Sequence, residues 1–443
     1  MLILKTKFDF MTDLMSTNEN YSYLCDVISI LDMLQELKIK NFKSFRDEVV
    51  LSFETSGNDK YNSVVTMPDG VQLLRFAVVL GANASGKSNL LEAIDFLRVF
   101  WNKIPMKNDE GTDVQPFLMQ PDALKYDTEF DVKLYVNGIR YWYQLVVNPE
   151  KVCSEVMYVY LSNRPTKVFT REDVNGISKL TFNPAAVKLS QAEIDALSVN
   201  CLRNMSILAV LKKVNVAVTY LDDMRRWIDS RMMPLINGSD TAISDTTKNM
   251  LSEDSTFKEY LMHFVKEADF NISDIKIKKM AALFGHKVET ERGEEDYVLP
   301  ENSQSAGTTR MVELESIIYS QLKCQGLLCV DELEASIHPN LMEYMLTRFV
   351  NKKDNQSQLI VTTHYDPILR DIDDIFGKDS IWFTEKGKDG NSNLFSLVEF
   401  RGLNKLSSIH RAYMNGQFGA LPNIIMYGGL QMARKTQQRQ VTI

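Results

Sequence analysis

Cysteine is scarce and shows no pairing pattern. Cys25, Cys153, Cys201, Cys324 and Cys329 fall at neither metal-ligand nor disulfide-framework spacing, which argues against a stapled secreted domain and for a reduced, cytoplasmic setting. No apolar run approaches the roughly 20 residues that a membrane helix needs. Residues 1–20 carry lysines without the unbroken apolar core of a signal peptide. A basic excess is missing too: 50 Lys and Arg against 58 Asp and Glu give a formal charge of −8. There is thus no global electrostatic case for nucleic-acid binding, although a local basic groove stays compatible with this balance. Sustained heptads and internal repeats are absent, which excludes long coiled coils. What remains is a chain of 443 residues, 44% hydrophobic and 24% charged, the make-up of an ordinary globular protein of two or three domains.

Against that plain background one segment stands out. Gly81-Ala82-Asn83-Ala84-Ser85-Gly86-Lys87-Ser88 has the G-x-x-x-x-G-K-S spacing of a phosphate-cradling loop. It follows the apolar run Phe76–Leu80 and precedes a helix-like stretch from Asn89 to Phe100, the strand–loop–helix setting that the motif needs. The two glycines let the backbone curl so that successive N–H groups face an anion at a helix N-terminus. Lys87 then reaches the β- and γ-phosphates, and the Ser88 hydroxyl binds Mg²⁺. Chance would produce such a pattern in a chain of this length with a probability of roughly 0.01. The expected ligands are therefore ATP and Mg²⁺.

Patterning divides the rest. Residues 1–33 read as an N-terminal extension, with Tyr21–Leu31 as a short amphipathic helix. Met33 is an alternative start, and the sequence does not choose between the two. Residues 34–185 form a first ATPase lobe, opening at Leu34–Phe42 with the alternation of an edge strand. Within it, Asn137-Gly138 between alternating runs predicts a hairpin in an antiparallel β-layer. Residues 186–270 read as a helical insertion, from the spacing of Leu197, Cys201, Leu202, Met205, Leu208 and Leu211 and of Met224, Trp227, Ile228 and Met232. Its helices are expected to reach ~20 residues. Residues 271–428 form a second lobe and 429–443 a polar tail.

The second lobe carries the complement of the phosphate loop. Leu327–Val330 is an apolar strand ending in Asp331-Glu332. Acids at a strand end are common, but coupled to an upstream phosphate loop they become specific. Asp331 would stand beside Mg²⁺, and Glu332 would orient and deprotonate the attacking water. Leu359–Thr363 is a second such strand and ends in His364, where open α/β sheets place their ligands; that histidine is the candidate γ-phosphate sensor. Upstream, Ser303–Thr308 precedes an evident helix. Ser305 or Thr308 there is either a helix cap or, with Gly307, part of an anion site at the helix N-terminus.

These pieces, in this order, resemble the ABC/SMC/RecF-type ATPases, and among them the compact AAA-family ATPases associated with abortive infection and phage defence. The resemblance runs from about residue 34 to 425. It rests on Lys40-Asn41-Phe42-Lys43-Ser44-Phe45, the phosphate loop through Asn89, Asp331–Pro339, Thr362-Thr363-His364 and the closing segment Tyr413–Pro422. It implies an α/β P-loop NTPase fold of ABC/SMC-head type, with an antiparallel β-layer and a helical insertion. It also implies a homodimer or higher even oligomer closing around two ATP molecules. Ser305 and Gly307 would act across the interface, and Ser336-Ile337-His338 would cross the seam. The signature keeps only Ser-x-Gly of the transporter form. The family's glutamine loop falls on Gln115 or Gln120.

The insertion is too short for the long coiled coils of SMC relatives, and no nuclease domain follows His364. The acidic group Asp371, Asp373 and Asp374 reads as a solvated turn. An effector, nuclease or toxin, is thus expected as a separate polypeptide. The leading expectation is an ATP-hydrolysing dimer switch in phage defence. The alternative is a RecF-like DNA-repair or DNA-maintenance ATPase that grips nucleic acid directly.

Overall fold

A computed structural model describes residues 31–55, 63–107, 109–268, 271–370 and 376–422. The helix expected over Tyr21–Leu31 (all but its last residue), the Asp371–Asp374 acids and the polar tail lie outside them. In chain order the strands are β1 (Met33–Lys40), β2 (Val49–Ser52), β3 (Val64–Thr66), β4 (Gln72–Leu74), β5 (Phe76–Gly81), β6 (Thr128–Val136), β7 (Ile139–Val147), β8 (Val152–Tyr160), β9 (Thr166–Val174) and β10 (Ile177–Phe182). They continue with β11 (Asp274–Lys278), β12 (Ala281–Thr290), β13 (Gly293–Pro300), β14 (Leu327–Val330), β15 (Gln358–Thr363), β16 (Ile381–Lys386) and β17 (Ser392–Ser396).

The residues fall into two compact units. The larger comprises the described parts of Ile30–Leu235, Gln325–Glu332 and Val350–Ile443. It holds an antiparallel sheet in the order β10-β9-β8-β7-β6-β1-β2 and a five-stranded sheet in the order β14-β15-β5-β16-β17. In the second sheet β14, β15, β5 and β16 run parallel. Every residue of β5, β14 and β15 is buried, as expected of strands covered on both faces. Arg75, fully buried just before β5, is satisfied by the carbonyls of Val350, Lys352 and Ser357; burial pulls its guanidinium down to about 10.

The Asn137-Gly138 turn joins β6 to β7 with both residues at positive φ, 52° and 74°, the geometry a two-residue hairpin selects. The edge position expected of Leu34–Phe42 is not what the fold adopts. β1 pairs with β2 on one side and β6 on the other. Its alternation reflects one more buried face of an antiparallel sheet, and that pattern is the same inside a sheet as at its rim.

The helical insertion is split. Residues up to Leu235 belong to the larger unit and those from Ile236 to the smaller. Its helices are shorter than expected, at most 13 residues: Gln191–Asn200, Ile207–Val210, Thr219–Arg231, Asp245–Glu253 and Ser255–Glu267. The Leu197–Leu211 periodicity breaks at Cys201–Ser206 for a visible reason. The buried Glu155 carboxylate on β8 accepts from the Ile207 N–H (3.1 Å) and the Ser206 hydroxyl (2.6 Å). Arg171, paired with Glu155 at 3.0 Å, donates to the carbonyls of Leu202 (2.8 Å) and Met205. A buried ion pair thus satisfies the backbone groups that the broken helix leaves open.

The smaller unit, described within Ile236–Cys324 and Leu333–Phe349, contains the β11-β12-β13 sheet and the helix Ala306–Cys324. Arg348 reaches across it to Glu315 (3.2 Å) and lies 5.0 Å from the Tyr260 ring centre. Burial pushes the Glu315 carboxyl upward.

Candidate active site

The site grows from the carboxyl ends of three parallel strands. β15 and β16 clamp β5, with Thr363 opposite Leu80 and Thr384 opposite Gly81. At Gly81 the chain turns into the loop. A Cβ there would stand 2.5 Å from the Thr384 carbonyl oxygen, so only glycine fits. Ala84 (φ +59°) and Gly86 (φ +114°) then bend the loop back, and a Cβ on Gly86 would meet Ser392 Oγ at 2.7 Å. The helix Lys87–Asn102 follows at once, and its N-cap, Gly86, makes no side-chain cap. Its N-terminal N–H groups are therefore of the kind that an anion satisfies.

Lys87 is buried, and its Nζ donates to the carbonyls of Gly81 (3.0 Å) and Ala82 (3.1 Å). The same Nζ lies 3.1 Å from His364 Nε2, which brings the phosphate loop and the end of β15 to one point. Asn83 and Ala84 are exposed, Ser85 is buried, and Ser88 and Asn89 are half-buried.

β15 separates β14 from β5, so Asp331-Glu332 enters from the far side of His364. Asp331 is buried and accepts a hydrogen bond from the Thr362 hydroxyl. Glu332 is exposed, and its N–H donates to the same Thr362 Oγ1 at 2.9 Å. Its φ of +48° is uncommon for a residue with a side chain.

Two supporting residues, Thr384 and Ser392, gave no sequence signal. Ser85 and Thr384 share a hydroxyl hydrogen bond of 2.6 Å. Asn89 Nδ2 donates to Ser44 Oγ at 2.7 Å, and the Ser392 N–H donates to the Ser44 carbonyl at 2.8 Å. The Lys40–Phe45 turn is therefore a brace for the start of the phosphate-loop helix. The Gln120 side chain donates to Asn41 Oδ1 (3.1 Å) and the Gln115 carbonyl accepts from the Lys43 N–H (2.8 Å), so both glutamine candidates sit on a segment that supports this turn.

The closing segment lies beside the loop. Together with Gly81, Ala82, Asn83, Ser85, His364 and Thr384, its residues Tyr413, Met414 and Ala420–Pro422 line a cavity of about 570 Å³. Ala420 donates its N–H to Glu385 Oε1 at 3.4 Å, and Asp366 pairs with His410 Nε2 at 2.7 Å. Tyr413 stacks on Phe383, and burial pushes its hydroxyl up to about 12.

Ser305 and Gly307 belong to the smaller unit, whereas the residues just described belong to the larger. The Ser305 hydroxyl accepts the Thr308 N–H at 3.1 Å, which is helix-cap geometry. Gly307 comes so close to the Ser336 carbonyl that a Cβ would stand 2.5 Å from its oxygen. The two elements expected at a dimer seam are thus packed on each other within one unit.

The donor set suits a nucleotide with its metal: a glycine-dependent loop at a helix N-terminus, one lysine, one loop serine and one buried carboxylate. Among the described residues no group of three or more His, Cys, Asp and Glu could hold a metal by itself.

Fold and site together define a P-loop nucleotide-binding protein. Residues 76–371 match the family model described as "AAA domain, putative AbiEii toxin, Type IV TA system", and the chain belongs to that family. Among solved structures it is similar to the SMC head domain from Thermotoga maritima, with 12% identity and a TM-score of 0.40 over 82% of this chain and 98% of that one. It is also similar to an SmcHead bound to the C-winged helix domain of ScpA, with 13% identity and a TM-score of 0.40 over 86% of this chain and 99% of that one. No curated protein matches the chain. Among the described residues no helix is long and apolar enough to cross a membrane.

Proposed function

We propose that this protein is a cytoplasmic, Mg²⁺-dependent ATP hydrolase that works as a nucleotide-driven dimer switch in anti-phage defence, with a separate nuclease or toxin as effector. The observation that carries the reading is the convergence of Lys87 and His364 at 3.1 Å, with Asp331-Glu332 tied to the same strand end through Thr362. The defence role draws support from the family's description as a putative AbiEii toxin domain.

In this reading the loop backbone from Asn83 to Asn89 and the Lys87 ammonium bind the phosphates. Ser88 and Asp331 would hold Mg²⁺, which when bound neutralises charge on the phosphate oxygens. Glu332, exposed on a fixed backbone, orients a water and takes its proton. His364 shares the Lys87 position and contacts the terminal phosphate. Ser305 and Gly307, at a helix N-terminus, complete the site of the partner copy.

The test is phosphate release by the purified protein with Mg²⁺ and with chelator, beside Lys87→Ala and Glu332→Gln. Turnover that needs Mg²⁺ is expected. Lys87→Ala should lose ATP binding, and Glu332→Gln should bind ATP and scarcely hydrolyse it. Lys87→Ala hydrolysing at the wild-type rate would remove the site assignment. Stimulation by DNA, and not by the neighbouring gene's product, would move the protein to the RecF-like reading.

A further inference from the structure

The side chain joining the two acidic residues to the sheet is Thr362, next to last in β15. It is fully buried, and its strand is hydrogen-bonded to β14 on one side and β5 on the other. A hydroxyl has one proton to give and two lone pairs to receive with. Here the proton goes to Asp331 Oδ1 and a lone pair takes the Glu332 N–H at 2.9 Å. One atom therefore fixes the rotation of the first carboxylate and the peptide plane of the second.

That peptide needs fixing. Glu332 sits at φ +48°, a left-handed conformation that is unfavourable for a residue with a Cβ. Its carboxylate is exposed, so the packing of its own side chain does little to hold the backbone there. The branched threonine, with restricted χ1 in a strand buried on both faces, is a rigid post for such a contact.

We propose that Thr362 is a positioning residue for ATP hydrolysis, its hydroxyl locking the Asp331–Glu332 peptide in the left-handed conformation that presents Glu332 to the attacking water. The inference rests on the ATPase reading above. It predicts a separation between binding and chemistry, because the Thr362 hydroxyl bonds to the acids and not to the phosphate loop.

Thr362→Val keeps the shape and removes the hydroxyl; Thr362→Ser keeps the hydroxyl. In the full-length protein, Thr362→Val is expected to lower kcat by on the order of 10- to 100-fold, with KM for ATP changed by less than about threefold. Thr362→Ser should restore most of the rate. Independently of activity, hydrogen exchange at the Glu332 amide should quicken in Thr362→Val and stay slow in Thr362→Ser. Wild-type turnover and unchanged Glu332 exchange in Thr362→Val would overturn the proposal. So would equal loss of ATP binding in both variants, which is the mark of a merely structural role. A wild-type protein without turnover would instead sink the ATPase reading, while the exchange measurement still decides whether Thr362 holds the peptide.

Discussion

Lys87 Nζ and His364 Nε2 stand 3.1 Å apart, one at the start of the phosphate-loop helix and the other just past the end of β15. The same Nζ also lies 3.5 Å from His364 Nδ1, so the ammonium faces both ring nitrogens. Two groups sharing one point are suited to sharing one phosphate. His364→Ala should therefore keep ATP binding and lower turnover by on the order of 10- to 100-fold, read by nucleotide titration beside phosphate release. Unchanged turnover would make His364 an ordinary loop residue and leave Glu332 to act without it.

Composite sites make a mixing prediction. Ser305→Arg, at the cap of the Ala306–Cys324 helix, should block the clamp that its own helix provides. Lys87→Ala should disable the loop. Each variant alone should be inactive, and the mixture should recover part of the ATPase activity through one intact site per heterodimer. A Ser305→Arg protein that associates and hydrolyses ATP normally would reduce Ser305 to a cap.

Glu155 carries a stability prediction. It is fully buried, paired with Arg171 and hydrogen-bonded to Tyr143, Ser206 and the Ile207 N–H. Removing one member of such a pair leaves a buried charge and open backbone groups, a cost of about 3–5 kcal/mol. Glu155→Ala should lower the melting temperature well beyond an exposed control such as Glu150→Ala. Equal melting of the two variants would show that the pair does not hold the Cys201–Ser206 break.

Asp32 supplies the pH dependence. Burial, only partly offset by the Asn137 N–H and Arg231, pushes its carboxyl from 3.8 up to about 6. The folded state then binds this proton more tightly than the unfolded one. Its contribution to stability is highest below about pH 4, falls as pH rises toward 6 and stays low above that. Asp32→Asn keeps an oxygen for the Asn137 N–H and carries no charge. It should be more stable than wild type at pH 8, by up to roughly 3 kcal/mol at about 1.4 kcal/mol per unit, and lose that advantage near pH 4. Thermal melts at the two pH values decide, and an equal difference at both would exclude Asp32 ionisation as the cause.

Much of the candidate site could be proposed from contiguous runs: Gly81–Ser88 by its own spacing, and Asp331-Glu332 and Thr362–His364 as strand ends read together with it. Thr384 and Ser392 could not be, because they meet the loop only from strands far away in sequence. The Leu197–Leu211 spacing predicted one helix where Gln191–Asn200 and Ile207–Val210 form and missed the break between them, since Glu155 and Arg171, which stabilise it, lie on distant strands. The alternation at Leu34–Phe42 gave a strand but not its neighbours, because one-sided burial has the same period at an edge and inside an antiparallel sheet.

The pairing of β5 with β15 and β16 also sets a timetable. A growing chain on the ribosome makes the phosphate-loop strand early, yet both of its hydrogen-bonding neighbours are encoded after residue 357. Until they emerge, the apolar Phe76–Leu80 run has no partner in its sheet and the loop has no Thr384 or His364 to shape it. Nascent chains should acquire nucleotide binding only after residues 358–386 have emerged, and until then the exposed run is a natural client for chaperones.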